Sequence, residues 1–90
     1  MTTKDWKSKV ASLGCIQCRH LGQHDIPASL HHVREGQGMS QRASDWLVVP
    51  LCHRHHQGND GIQSGTFYTK YKMDEMDLLA MTIQAVAQGS

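Results

Sequence analysis

The sequence predicts a small α+β domain, a pair of strands flanked by an N-terminal helix and by C-terminal helices and stapled through its side chains. Three observations predict it. The chain has 90 residues with a single Phe, two Trp and two Tyr. That makes one domain, residues 1–90, whose thin core supplies little net stability, so a staple is expected. Apolar residues recur at helical spacing near both ends and in short β-branched runs between them. Finally, residues 51–61, L-C-H-R-H-H-Q-G-N-D-G, crowd one thiol and three imidazoles into positions 52–56, a density that packing alone does not explain.

Residues 3–13 form the first expected helix. Thr2 or Thr3 can cap it, and Asp5 suits its positive first turn. Trp6, Val10 and Leu13 fall at i, i+4 and i+7 and make one apolar stripe, with Gly14 as the stop. Lys7, with Lys4 and Lys9, is a candidate phosphate contact on the polar side, against the plainer reading of a solvated face.

Cys15 and Cys18 follow as a C-x-x-C knuckle. Two intervening residues let both sulfurs reach one ion while nearby backbone N–H groups point at them. The rival, a redox C-x-x-C, would lead into a long helix, whereas R-H-L-G follows here. His20 and His24 lie in a polar loop and read as surface residues.

Residues 28–33 read as a short strand after Pro27. Adjacent strand residues face opposite ways, so one of His31 and His32 can face a bound metal while the other approaches from the side. Residues 34–44 are a polar, glycine-containing loop suited to meeting a substrate, with Arg34 and Arg42 as candidate nucleic-acid contacts. Residues 46–50, W-L-V-V-P, make the second strand, ended by Pro50.

Cys52 and His55 repeat the two-residue spacing and, with Cys15 and Cys18, complete a closed Cys3His zinc set. Three cysteines cannot all pair as disulfides, which favours zinc over cross-links. His53 and His56 remain, and the zinc would fix His56 closely because it follows His55. Gly58, Gly61 and Gly65 each cost a helix about 1 kcal/mol, so a short helical turn and a tight loop are expected there. Ser64 or Thr66 starts a short helix through Phe67, Tyr68 and Tyr71. Asp74 caps a longer one, with Asp77 at its third position and Met73 placed to staple onto Leu78. Leu78, Leu79, Met81, Thr82, Ala85 and Val86 mark its apolar side, and Gly89 ends it.

Net charge is only +1, but residues 1–43 carry six cations against three acids, and residues 44–90 three against five. A nucleic-acid footprint is therefore expected on the first half. No stretch is long enough to span a membrane, and the N-terminus M-T-T-K-D-W lacks the apolar run of a secretory leader. A reducing cytoplasm, where thiols hold metal rather than each other, is the expected compartment.

Together these motifs resemble the HNH (His-Me finger, ββα-metal) endonucleases. The match is C-x-x-C at 15–18, H-H at 31–32 and V-P-L-C-x-x-H-H at 49–56. More narrowly, H-H-V-R-E-G-Q-G-M-S-Q-R-A-S and P-L-C-H-R-H-H-Q-G are similar to small phage and prophage nucleases of the recombination-enhancement (Ref-like), RecA-dependent kind, over residues 15–82. The resemblance implies a ββα core at about residues 28–58 behind the zinc knuckle of 15–18 and 52–55, with C-terminal helices at about 64–88. It implies a metal-dependent DNA endonuclease of phage or prophage recombination or DNA processing, leaving 5′-phosphate and 3′-hydroxyl ends. DNA is the implied partner, with a host RecA-type recombinase beside it.

The resemblance also assigns roles. His32 matches the general base, and Asp45 lies where a residue orients that base. His31 and His56 match ligands of the catalytic divalent ion, Mg2+ or another. His55 stands where relatives usually have a fourth Cys. Relatives read G-I-H-G after the Q-G loop, whereas this chain has Gly61-Ile62-Gln63-Ser64-Gly65. The third ligand is then either Gln63, whose carbonyl oxygen suits a hard cation but holds it less well than imidazole, or Asp60. A different class of function stays open: a non-catalytic zinc module binding DNA or a recombination protein, its catalytic metal site weakened through Gln63. A purely structural zinc knuckle leaves the His-His pair unexplained.

Overall fold

The computed structural model describes residues 1–33, 44–58, 61–64 and 66–89. In chain order it contains α1 (Thr3–Ser12), α2 (Ile16–His20), β1 (Ser29–His32), β2 (Val48–Leu51), α3 (His53–His56), a 3-10 turn (Ile62–Ser64), α4 (Thr66–Tyr71) and α5 (Glu75–Ala87). Arg34, Arg42 and Asp60 lie outside the described residues, as does the polar loop except for Ser44.

α1 begins at a capping box. The Thr2 hydroxyl accepts the Asp5 N–H at 3.1 Å, and the Asp5 carboxylate accepts the Thr2 N–H at 3.4 Å. Val10 and Leu13 are buried, as their spacing predicts, while Trp6 is half-buried. The Trp6 indole N–H donates to the Trp46 carbonyl at 2.9 Å, with the two ring centroids 6.3 Å apart. The helix is thereby pinned to the chain entering β2. At Gly14 φ is +73°, and a Cβ there would sit 2.8 Å from the Ile26 carbonyl oxygen. That carbonyl accepts the Cys15 N–H at 2.8 Å. Only glycine allows so tight a turn just before the first thiol.

β1 and β2 pair antiparallel in the register Ser29↔Leu51, Leu30↔Pro50, His31↔Val49 and His32↔Val48. The second strand is displaced from its expected 46–50. Trp46 sits in a turn, and the strand runs through Pro50 to Leu51. Pro50 does not end it, because each strand of a two-stranded sheet has one edge with no ladder bonds to make.

β2 is buried along its whole length. Val49 and Leu51 join Leu13, Ile16, Val33, Phe67, Leu78, Leu79 and Ala85 in one core cluster. Burying each of these side chains other than that of Ala85 contributes about 1.5–3 kcal/mol. α5 closes the core against β2 and α2. It starts at the expected capping box, in which Asp74 accepts the Asp77 N–H at 3.1 Å and Asp77 accepts the Asp74 N–H at 3.0 Å. Among the described residues no helix is long and apolar enough to cross a membrane.

Candidate functional site

Cys15 caps α2 and Cys52 caps α3, so each ligand pair, Cys15–Cys18 and Cys52–His55, opens a short helix. Cys15 Sγ accepts the Cys18 N–H at 3.5 Å, the backbone-to-sulfur contact that the knuckle spacing provides. Cys18 Sγ lies 3.7 Å from Cys52 Sγ. His55 Nδ1 lies 3.5 Å from Cys15 Sγ, 3.5 Å from Cys18 Sγ and 3.3 Å from Cys52 Sγ. A tetrahedral zinc with arms of about 2.3 Å to sulfur and 2.0–2.1 Å to nitrogen has S···S edges of about 3.8 Å and S···N edges of about 3.5 Å. The Cys18–Cys52 edge and the three edges to His55 stand at those lengths, and all four donor atoms lie within 4.8 Å of one another. Among the described residues they are the one group of three or more Cys, His, Asp or Glu placed to share an ion.

The chemistry of the donors agrees. Burial, followed by the neighbouring thiols of Cys15 and Cys52, pushes the Cys18 thiol up to about 12. Burial also acts to raise Cys52, but the His55 N–H, the other two thiols and the Arg54 N–H outweigh it and bring that thiol down. Three clustered sulfurs can all be thiolates only around a cation, and the Cys3His cluster fits a structural zinc site. The far side of the His55 ring is also held. Its Nε2 lies 3.3 Å from the Tyr71 hydroxyl, and the ring meets Phe67 and Tyr71 edge-on. Tyr71 was readable in the sequence only as a helix residue.

The second group of histidines lines a cleft of about 810 Å³ with Gln63, Tyr68 and Glu75. Successive helix residues are rotated by about 100°, so α3 turns His55 into the Cys3His cluster and His56 toward β1. His56 Nε2 lies 3.1 Å from His31 Nδ1. Two cis nitrogens on one ion with arms of about 2.1 Å stand about 3.0–3.4 Å apart, so the pair fits a shared divalent cation. The Gln63 amide lies 3.4 Å from the same His56 nitrogen. The close turn before it depends on Gly61, where a Cβ would come within 2.8 Å of the His56 carbonyl oxygen. Burial, then His31 and His53, lowers the proton affinity of His56.

His31 and His32 split as strand neighbours do. His31 Nε2–H donates to Glu75 Oε2 at 2.6 Å, a partner from α5 that no local spacing announced. His32 Nε2–H donates to Asp45 Oδ1 at 2.9 Å, and Lys7 Nζ stands 3.9 Å from Asp45 Oδ2. The structure therefore gathers His31, His56 and Gln63 at one point, and His32, Asp45 and Lys7 beside it.

A family model described as recombination enhancement, RecA-dependent nuclease matches residues 2–67. Comparisons with curated proteins and with solved structures give no match. The matched segment holds the Cys15–Cys18 and Cys52–His55 pairs, the His-His pair and Gln63, and it stops short of α5.

Proposed function

The chain belongs to the recombination-enhancement, RecA-dependent nuclease family, and from that premise we propose that it is a metal-dependent DNA endonuclease of the HNH (His-Me finger, ββα-metal) type, acting as one domain. The observation that carries this reading is the 3.1 Å approach of His31 Nδ1 and His56 Nε2 in the cleft that His32 also lines. The order strand, strand, short helix over β1, β2 and α3 supports it.

In this reading His31, His56 and Gln63 hold the ion, with the Gln63 amide turned to present its oxygen. Asp60 is the other candidate third ligand. Bound there, Mg2+ or a similar ion would neutralise charge on the scissile phosphate and steady the departing 3′ oxygen. The base is His32. Asp45 accepts its Nε2–H, which leaves Nδ1 to take the proton from the attacking water, and imidazole can do so near neutral pH. Lys7 brings a cation beside Asp45, where a DNA phosphate can be met. Arg34 and Arg42 extend that contact, and a RecA-type recombinase presents the DNA. Hydrolysis leaves 5′-phosphate and 3′-hydroxyl ends.

A second reading, a zinc module that binds DNA or a recombination protein without cutting, is favoured by one observation: an amide rather than an imidazole faces His56. A plasmid-nicking assay in Mg2+, Mn2+ or Ni2+, with and without a RecA-type filament, separates the two. Ion-dependent nicking is the expected result. A zinc-loaded protein that binds DNA yet nicks it under none of these conditions leaves the binding module as the function.

A further inference from the structure

Resting on the ion site proposed above, we infer that Glu75 is the positioning residue that fixes the His31 ring. Its Oε2 lies 2.6 Å from His31 Nε2, and the two side chains are only 21% and 10% exposed. A carboxylate accepts and cannot donate, so the shared proton sits on Nε2. The lone pair is then on Nδ1, the atom that faces His56 Nε2 at 3.1 Å. Rotating the ring would cost the bond to Glu75 and turn Nδ1 out of the cleft. A carboxylate on the far nitrogen also makes the near one a better donor to a cation, the usual outer partner of a metal-binding histidine.

Glu75 is placed to do this by its own helix. It is the first residue of α5, directly after the Asp74 cap, and the Asp74–Asp77 box holds that turn whatever stands at position 75. α5 begins beyond the family-matched residues 2–67. This chain therefore draws a part of its site from an element outside the matched segment. The C-terminal helix both closes the core and sets the tautomer of a histidine.

The test compares wild type with Glu75→Ala and Glu75→Gln, each zinc-loaded and free of other divalent ions, by proton–nitrogen NMR of the histidine rings. Wild type should show His31 protonated at Nε2, with that proton protected from solvent exchange. Glu75→Ala should lose the protected signal. Glu75→Gln, whose carbonyl oxygen still accepts, should keep much of it. Titration with Mn2+ should then show affinity about 10–100-fold weaker in Glu75→Ala, with partial recovery in Glu75→Gln and unchanged zinc content in all three. A His31 protonated at Nδ1 in wild type overturns the inference. So does a Glu75→Ala protein that melts lower but binds Mn2+ as wild type does, since Glu75 would then be structural only. If the Nε2 signal follows Glu75 but Mn2+ broadens neither His31 nor His56 in any of the three, the positioning bond is supported and it is the proposed ion site that fails.

Discussion

His31 Nδ1 and His56 Nε2 are 3.1 Å apart, with their rings edge-to-face and centroids at 4.9 Å. They come from different elements, and two constraints bring them together. The sheet register sets His31 opposite Val49, a buried residue of β2. The Cys3His cluster sets His56, because the preceding residue, His55, has its Nδ1 within 3.5 Å of all three sulfurs. One site is thus built on the back of the other.

Breaking the sulfur cluster should therefore dismantle both. Cys18 is buried and touches Cys52 and His55. Cys18→Ser is expected to lose the zinc equivalent, most of the far-UV helical signal and all Mn2+ binding at the histidine cleft. Structural zinc contributes roughly 10–16 kcal/mol in small domains, as much as the whole stability of a typical domain, about 5–15 kcal/mol. Metal analysis beside circular dichroism reads the result. A Cys18→Ser protein that stays helical and still binds Mn2+ would separate the two sites.

His55 offers a sharper contrast. His55→Cys keeps a four-donor set and should retain zinc, whereas His55→Ala should not. The cysteine variant still loses the contact to the Tyr71 hydroxyl and the ring faces of Phe67 and Tyr71. A destabilisation of about 1–3 kcal/mol is expected from the unpaired hydroxyl and lost packing. Zinc content and thermal melting of the two variants, measured side by side, check both halves. Equal zinc loss in both would show that the nitrogen is required for more than coordination number.

How far these features could be read from the chain follows from how local they are. Thr2 with Asp5 and Asp74 with Asp77 make their capping boxes over three residues, and both spacings read directly as helix starts. The C-x-x-C and C-x-x-H pairs declare themselves through fixed spacing, and the cluster they predict is present. β2 runs past its expected end because Pro50 looks like a terminator in one dimension; only the two-stranded pairing shows that it has no ladder bond to lose. Glu75 and Tyr71 were invisible as site residues. Their partners, His31 and His55, lie 44 and 16 residues away, and no periodicity links them.

Gln63 is the place where the site departs from what the family resemblance implies. Its amide faces His56 Nε2 at 3.4 Å, so a side chain at this position reaches the proposed ion site. Replacing it with imidazole should strengthen the site, since nitrogen donors hold Mn2+ and Ni2+ better than an amide oxygen. Gln63→His is expected to tighten Ni2+ binding by roughly tenfold or more and to raise nicking at low metal concentration. Calorimetric titration gives the first number and plasmid relaxation the second. Unchanged affinity would move the third ligand elsewhere, with Asp60 the next to replace.

His32 and Asp45 form an exposed pair, with side chains 35% and 47% exposed. At such exposure the bond adds only about 0–1 kcal/mol to stability, and in the proposed mechanism its part is to orient the ring. His32→Ala should cut nicking by about 10²–10⁴-fold, the usual share of a general base, with zinc content, melting temperature and DNA affinity near wild type. Asp45→Asn keeps an acceptor oxygen and should lose less than Asp45→Ala, because what the ring needs from Asp45 is a fixed partner for Nε2–H. Lys7→Ala should act differently. It weakens DNA binding and lowers the salt dependence by about one ion, leaving the rate at saturating DNA close to wild type. Nicking rates against DNA concentration resolve the three. If His32→Ala still cuts at the wild-type rate, the proton is taken by another group, and the Asp45 bond is then an ornament of the surface rather than part of the base.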